Sequence, residues 1–378
     1  MYISKMILAI NLIGTKKESG SKTYILNFLA NLYKLDNLVN LKTIYVFAAN
    51  NSLKEINIKK TSGNIIIINI PSIFQEGILK FFFEQFILPF YLISRRVDKI
   101  LFSLNYIPLV LKLFKIEKTL VIHSNLPWFA NHLMPGNLFK KKIIKLLMNL
   151  SISAADKVIF CSYSAKKQLQ KILKIKDKKL YFVYLGSDHF QIKKQKKNLD
   201  KILIISSITK YHPIINILKT YDKMLSINKK LPKIFLVTQI LDRNYFKIIF
   251  NYINQTKLLK RKIKIFYNLN NSSVKKLYST SYMSINASLI ESFGITSLES
   301  MRLGCPVLLS KLNTFKEINK NAALYFNHNS TIDIKKNIMY LLKKRNSFRK
   351  KLILRGFTVC KSYTWKKTVQ KTLNIVLS

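Results

Sequence analysis

Between Asn286 and Ile318 the chain reads NASLIESFGITSLESMRLGCPVLLSKLNTFKEI, and this stretch holds the side chains best suited to chemistry. An apolar run ending near Asn286 predicts a strand, and the loop after it carries Glu291-Ser292-Phe293-Gly294. A helix is predicted from about Thr296 until Gly304 stops it and Pro306 forbids its continuation. A diphosphate site can be built this way. Gly294 lets the backbone approach a ligand, and the N–H groups of Ile295, Thr296 and their successors, together with the helix dipole, favour an anion. Glu291 in the loop can reach sugar hydroxyls. Glu299 can accept both hydroxyls of a ribose, because a carboxylate offers two acceptors and no donor. From spacing alone a plainer reading stays equally open, with Glu299 a solvated helix residue and Gly294 a turn former.

The elements that must position these residues are legible from periodicity. Short Ile- and Val-rich runs alternate with longer helical patterns, which is the signature of βαβ units and parallel sheets. Strand patterns run from Met6–Ile13 to Leu180–Tyr184 in the first half and from Ile202–Ser206 to Ala323–Phe326 in the second. Helical patterns include Thr23–Tyr33, Gly77–Val97, Leu138–Ser153 and Trp365–Val376. Around Gly186 to Asp200 the pattern gives way to a Lys-rich polar stretch, the expected linker. The expected architecture is α/β, with two Rossmann-like, doubly wound domains facing a central cleft. Residues 1–190 and 191–361 form the domains, and 362–378 form a helix returning to the first.

At 378 residues, with 49% of them hydrophobic, the chain is long enough and apolar enough for two cores. Its formal charge of +48 suggests a polyanionic partner, yet the Lys residues are scattered through the whole sequence. Abundant Lys, Asn and Ile, which share A/T-rich codons, point to genome composition as one source of that charge. Aromatic residues do not interleave with the basic clusters, which disfavours nucleic-acid binding. Lys140, Lys141, Lys142 and Lys145 alternate with Ile143, Ile144, Leu146 and Leu147. This pattern fits either a helix resting on an anionic membrane or an ordinary domain helix with a solvated Lys face. Cys161, Cys305 and Cys360 are far apart, which indicates neither a disulfide framework nor a zinc site and fits a reducing, cytoplasmic compartment. The apolar start Met1 to Ile13 reads as a first strand. No stretch gives a clean run of roughly 18 to 20 uncharged apolar residues, so no membrane span is expected.

Glu291, Phe293, Gly294, Glu299, Ser300, Met301, Gly304, Pro306 and Val307 match residue for residue the signature of glycosyltransferase family 4, whose members are retaining enzymes of the GT-B fold. Further segments extend the resemblance over nearly the whole chain. Gly20-Ser21-Lys22-Thr23-Tyr24 resembles the family's N-terminal glycine loop, and Val121 to Pro127 resembles the strand that ends in its active-site histidine, here His123. Ala155 to Ser162, Tyr184 to Asp188 and Tyr363-Thr364-Trp365 are similar to three more family segments.

The resemblance implies a retaining, metal-independent hexosyltransferase. Its donor substrate is a nucleotide-diphosphate sugar, with no separate cofactor. Its acceptor is a glycan or lipid-linked sugar in cell-surface polysaccharide synthesis, reached from the cytoplasm or the inner face of the plasma membrane. It implies that His123 contacts the donor sugar and that Glu291 holds sugar hydroxyls rather than attacking the anomeric carbon. Gly20, Ser207, Lys210, His212, Phe293, Gly294, Ile295, Thr296 and Glu299 are the implied donor-binding residues. His132, His189 and His328 are given no role. The chain departs from the pattern in the segment Ser206 to Pro213, where His212 stands near the family's diphosphate-holding Lys and no Arg precedes it. Ala287 replaces a usual Pro, and a glycine usual near Asn268 is missing. These departures keep one alternative open: a catalytically weak or inactive GT-B scaffold that binds membrane or RNA through its basic surface.

Overall fold

The computed structural model describes residues 6–13, 20–34, 41–56, 61–62, 64–75, 77–175, 177–192, 200–343 and 346–378. Their contacts divide the chain into two compact units. The first comprises residues 1–125, 142–186 and 365–378, and the second comprises 126–141 and 187–364. Most of the expected linker, residues 193–199, lies outside the described residues.

The first unit is built on an eight-stranded sheet. Its strands are β1 (Met6–Asn11), β2 (Leu41–Ala49), β3 (Thr61–Ser62), β4 (Ile65–Ile70), β5 (Lys99–Phe102), β6 (Glu117–Ile122), β7 (Lys157–Phe160) and β8 (Leu180–Phe182). They lie in the order β3-β4-β2-β1-β5-β6-β7-β8, all parallel except the short β3–β4 pair. Every residue of β5 is buried, as expected for a central strand of a parallel sheet covered on both faces. The helix Trp365–Leu377 packs on the helix Gly20–Leu32 in this unit, where the ring centroids of Trp365 and Tyr24 are 5.9 Å apart. Each expected strand is present. The β3 edge strand was not anticipated, since two residues are too short to show a period.

The second unit holds a six-stranded, all-parallel sheet. Its strands are β9 (Lys201–Ile205), β10 (Lys233–Thr238), β11 (Ile263–Tyr267), β12 (Met283–Asn286), β13 (Val307–Ser310) and β14 (Ala323–Phe326). The order is β11-β10-β9-β12-β13-β14, so the chain reverses its direction of progress between β9 and β12. Strand β9 feeds a core on each face: Ile202 and Ile204 pack with Ile217, Leu218 and Ile249, while Leu203 packs with Val237, Tyr278 and Leu303. Alternation with both faces apolar is the period-2 geometry of a sheet sandwiched between helices. In an open parallel sheet a ligand crevice forms where neighbouring strands send their connections in opposite directions. In the second sheet that place is the pair of loops leaving β9 and β12.

One expected helix differs in form. Residues Gly77–Val97 were expected as a single helix, whereas Gly77–Phe82, Phe83–Ile87 and Leu88–Ser94 follow one another with a π-turn in the middle. Pro89 near the start of the third piece has no N–H to give to the ladder, and a wider turn before it accommodates the missing bond.

Candidate functional site

Three polar groups at the carboxyl ends of β1, β5 and β6 are tied into one chain in the first unit. Ser103 Oγ donates to the Asn11 carbonyl at 2.6 Å, and the Ser103 carbonyl faces His123 Nε2 at 2.7 Å. A carbonyl only accepts, so Nε2 carries the imidazole proton and Nδ1 is left as an acceptor. The Cys161 thiol lies 3.5 Å from Nδ1, and burial pushes its pKa up to about 12, so it stays an S–H. Asn105 Oδ1 accepts from the His123 backbone N–H at 2.8 Å, and the Tyr24 ring stands edge-on, 4.6 Å away. Desolvation pushes the His123 pKa down to about 4, against the opposing bond to Ser103. His123 is therefore a neutral imidazole with both nitrogens committed to protein groups. Gly20 opens the helix Gly20–Leu32 at an exposed position, and a Cβ there would meet nothing within 4 Å.

The second unit places the β12 loop and the helix Ile295–Arg302 as the sequence suggests. Asn286 Oδ1 accepts from the Ser288 backbone N–H at 3.0 Å, a side-chain-to-backbone turn that bends the chain off the strand. Ser288 Oγ lies 2.7 Å from Asn286 Oδ1 and 2.8 Å from Glu291 Oε1. Burial pushes the Glu291 pKa up to about 7, opposed by its bonds to Ser288 and Asn286. Near neutrality the carboxyl is thus half-protonated. In its acid form it can donate to Ser288 while Ser288 donates to Asn286. As a carboxylate it accepts from Ser288 instead. Thr314 Oγ1 donates to the Glu291 carbonyl at 2.9 Å, which holds the loop from the other side.

Gly294 is the N-cap of the helix, at φ 80° and ψ 48°. A Cβ at this position would stand 2.4 Å from Cε1 of Phe315, so both backbone conformation and space require glycine. Ser297 donates to the Gly294 carbonyl through its N–H at 3.0 Å and through its Oγ at 2.7 Å, pinning the first turn. The N–H groups of Ile295 and Thr296, at partly exposed positions, are among those that an α-helix leaves without an intrahelical acceptor. Ser300 anchors the back of the helix to Ser284 Oγ at 2.7 Å and to the Cys305 carbonyl at 2.9 Å. Gly304, at φ 70°, ends it as expected.

The loop after β9 carries the other candidates, and the Leu289 N–H, which donates to the Tyr211 carbonyl at 2.9 Å, binds it to the β12 loop. His212 is turned inward here. Its Nδ1 lies 3.1 Å from the Ser207 carbonyl, 3.2 Å from Ser207 Oγ and 3.2 Å from Thr209 Oγ1. Desolvation pushes its pKa down to about 4. His212 therefore shapes the loop as a neutral ring and lends no positive charge to an anion at neutral pH. Lys210 is the exposed cation of this loop, and it lines a hollow of about 350 Å³ with His132, Lys141, Asp242 and Arg243. Phe293 is buried against the Tyr363 ring, 5.9 Å between centroids, so its side chain supports the loop from beneath.

Glu299 lies one turn into the helix, and its Oε1 is 3.0 Å from His189 Nε2. Sequence reasoning gave His189 no role. The two residues are 110 positions apart, and only the fold brings the chain just after Gly186 against this helix. Arg302, three residues further on, donates to Ser187 Oγ at 2.8 Å and to the carbonyls of Cys360 and Tyr363 at 2.8 and 3.0 Å. These bonds fix the segment that carries His189. The Asn286–Ser288 turn was also passed over, although an Asn two residues before a Ser at a strand end is a readable turn signal.

A loop and helix of this form, at the reversal point of a parallel sheet, stand where open α/β sheets take their ligands. Residues 187–357 match the family described as Glycosyl transferases group 1. Over 214 residues the chain is 24% identical to the O-antigen chain mannosyltransferase RfbU of Salmonella typhimurium, spanning 56% of this chain and 57% of that relative. Two solved structures are similar along their whole length. A glycosyltransferase from Rickettsia africae matches with TM-score 0.69 at 17% identity, covering 99% of this chain and 98% of the other. Anabaena HepE, solved with UDP and glucose, matches with TM-score 0.72 at 12% identity, covering 98% and 99%. Both sheets thus belong to the two-domain GT-B fold.

Proposed function

We propose that the protein is a retaining, metal-independent hexosyltransferase. It moves a sugar from a nucleotide-diphosphate donor to a glycan or lipid-linked acceptor during cell-surface polysaccharide synthesis, working at the cytoplasmic face of the membrane. The observation that carries this reading is the site around Gly294. A sterically obligatory glycine opens a helix at the sheet's reversal point, with Glu291 in the loop before it and Glu299 one turn after it. The likeness to RfbU, named as an O-antigen chain mannosyltransferase, supports the acceptor class and the hexosyl donor. The HepE complexes with UDP support a nucleoside diphosphate as the leaving group.

In this reading the donor diphosphate lies over the N–H groups of Ile295 and Thr296. As the bond from the anomeric carbon to the diphosphate breaks, charge grows on the leaving oxygens, and preorganised donors lower the barrier by meeting it. The helix dipole and Lys210 supply the compensating positive charge in place of a divalent cation. His212, held neutral, contributes loop shape only. Glu299 accepts from the ribose hydroxyls and Glu291 from hydroxyls of the transferred sugar. The acceptor hydroxyl attacks from the face that the diphosphate leaves and passes its proton to the departing phosphate oxygen, which retains configuration. With both nitrogens bonded to protein, His123 acts as a fixed, uncharged surface and not as a proton carrier.

Thermal unfolding with UDP, GDP, ADP, CMP and dTDP tests the reading. A nucleotide present at about 100 times its Kd adds about 2.7 kcal/mol, a shift of several degrees. One diphosphate should stabilise the wild type and much less the Glu299→Ala variant. If no nucleotide stabilises the protein, while RNA or anionic vesicles bind in a salt-sensitive way, the inactive-scaffold alternative takes its place.

A further inference from the structure

We infer that the segment Gly77–Ser94 is an in-plane membrane anchor, whose exposed apolar ridge sinks into the interfacial zone of an anionic lipid bilayer. This deepens the peripheral placement in the reading above by naming the surface that makes the contact. By length and composition the 18 residues are apolar enough to cross a bilayer, with mean hydropathy 1.3, yet only 22% of the segment is buried. Ile78, Phe82, Phe86 and Phe90 recur at every fourth position, and Ile78 and Phe90 are 78% and 74% exposed. The rings of Phe82 and Phe86 stand 5.1 Å apart, in contact at the middle of this row. At about 1.5 Å per residue, the row from Ile78 to Phe90 runs on the order of 18 Å along the surface.

The segment lies on the bilayer rather than crossing it, because its opposite face belongs to the domain. Phe83, Leu88 and Leu92 are buried, Gln85 accepts from the Leu109 N–H at 3.0 Å, and Glu84 accepts from Asn11 Nδ2 at 2.9 Å. A spanning helix would have to break all of these. The two charged side chains within the segment neutralise each other, since Lys80 pairs with Glu84 at 3.1 Å. The ridge therefore enters an apolar phase without carrying a net charge.

Charge complementarity identifies the occupant. Exposed Arg96 follows the segment directly, and the adjoining turn Leu109–Leu113, held by Gln85, presents Leu113 at 80% exposure beside exposed Lys112 and Lys115. An apolar ridge bordered by cations suits acyl chains beneath anionic headgroups, with each part adding to the attraction. Large exposed apolar surface on a chain of net charge +48 is poorly suited to a second copy of itself, because the like charges repel.

Flotation of the full chain with phosphatidylcholine vesicles, with and without phosphatidylglycerol, tests the inference without using sugar or nucleotide. Failure here leaves the transferase reading standing, and the nucleotide panel can fail independently. The wild type should float with the phosphatidylglycerol vesicles, and a substantial fraction should remain bound at 0.5 M NaCl, because apolar burial is not screened. Phe82→Ser/Phe86→Ser/Phe90→Ser should weaken binding at least tenfold and abolish the salt-resistant fraction, with its melting temperature unchanged. Lys140→Glu/Lys142→Glu/Lys145→Glu should keep the salt-resistant fraction. In a second measurement, Phe86→Trp should give indole emission that shifts to the blue on vesicles and is quenched by brominated acyl chains. The inference is overturned if the triple Phe variant floats like the wild type or if the Trp emission is unmoved. A dimer that the Phe substitutions dissociate, in a protein that ignores vesicles, would overturn it too.

Discussion

The two sheets end in loops built on opposite plans. At the carboxyl ends of β1, β5, β6 and β7 the polar groups bond to one another in a series that runs through Asn11, Ser103, His123 and Cys161. At the ends of β9 and β12 the fold leaves a helix N-terminus open, and the carboxylates Glu291 and Glu299 stand next to it. The same doubly wound topology therefore supplies a rigid wall in one unit and an incomplete polar site in the other. Buried polar groups that bond among themselves favour rigidity, whereas groups with spare donors and acceptors gain most when a ligand completes them. The glycines show the same contrast. Gly294 is required by its own fold, with φ +80° and Phe315 in the way, while Gly20 faces open space.

The glycines give the sharpest way to break this comparison. Gly294→Ala should lower stability by more than about 2 kcal/mol and abolish nucleotide-induced stabilisation, because the left-handed backbone and the Phe315 ring both reject a Cβ. Gly20→Ala should change stability by less than about 0.5 kcal/mol, as an open position allows. Melting curves with and without the stabilising nucleotide measure both. If Gly20→Ala proves the more damaging to the fold, the assignment of rigidity and openness to the two loops is wrong.

A smaller effect is expected at Glu299, the carboxylate proposed to hold the ribose. Glu299→Ala should weaken nucleotide binding roughly 10- to 100-fold, the loss expected when bonds to a charged acceptor are removed. His189 touches Glu299 and acts through it, so His189→Ala should weaken binding less, by about three- to tenfold. Isothermal titration with the stabilising nucleotide resolves both. The double variant tests the coupling: if His189 only orients Glu299, its removal should cost nothing further once Glu299 is Ala.

Much of this was legible in the residues. Ile- and Val-rich runs marked every strand longer than two residues, because a strand covered on both faces must be apolar throughout. Gly294, Gly304 and Pro306 marked the site helix because their backbone constraints are local. Tertiary partners were not legible. Nothing in the spacing of His189 and Glu299 announces a 3.0 Å contact, and His212 has the same identity whether it faces an anion or its own loop. Its inward turn follows from the acceptors that Ser207 and Thr209 happen to offer. The exposed Phe ridge of Gly77–Ser94 was hidden for a related reason: apolar periodicity cannot say which face of a helix the fold leaves bare.

The smallest expected effect separates the two loops by the sign of their pH dependence. Glu291 has a folded pKa raised from 4.5 to about 7, so the folded state holds a proton that the unfolded chain has already released. The stability this contributes is fully present below pH 4.5 and is lost as pH rises through 7, amounting to about 1 kcal/mol between pH 6 and pH 8. His123 runs the other way. Its folded pKa is lowered from 6.5 to about 4, so its contribution is present above pH 6.5 and fades as the unfolded chain binds a proton that the folded state refuses. Over the same interval that is a rise in stability of just under about 1 kcal/mol. Relative to wild type, Glu291→Gln should therefore gain stability from pH 6 to pH 8, and His123→Asn should lose it. Melting temperatures of the three proteins across that range decide the matter. Parallel curves for wild type and Glu291→Gln would mean that the carboxyl is ionised throughout. The second loop would then enter catalysis with a full negative charge beside the sugar rather than with a titrating acid.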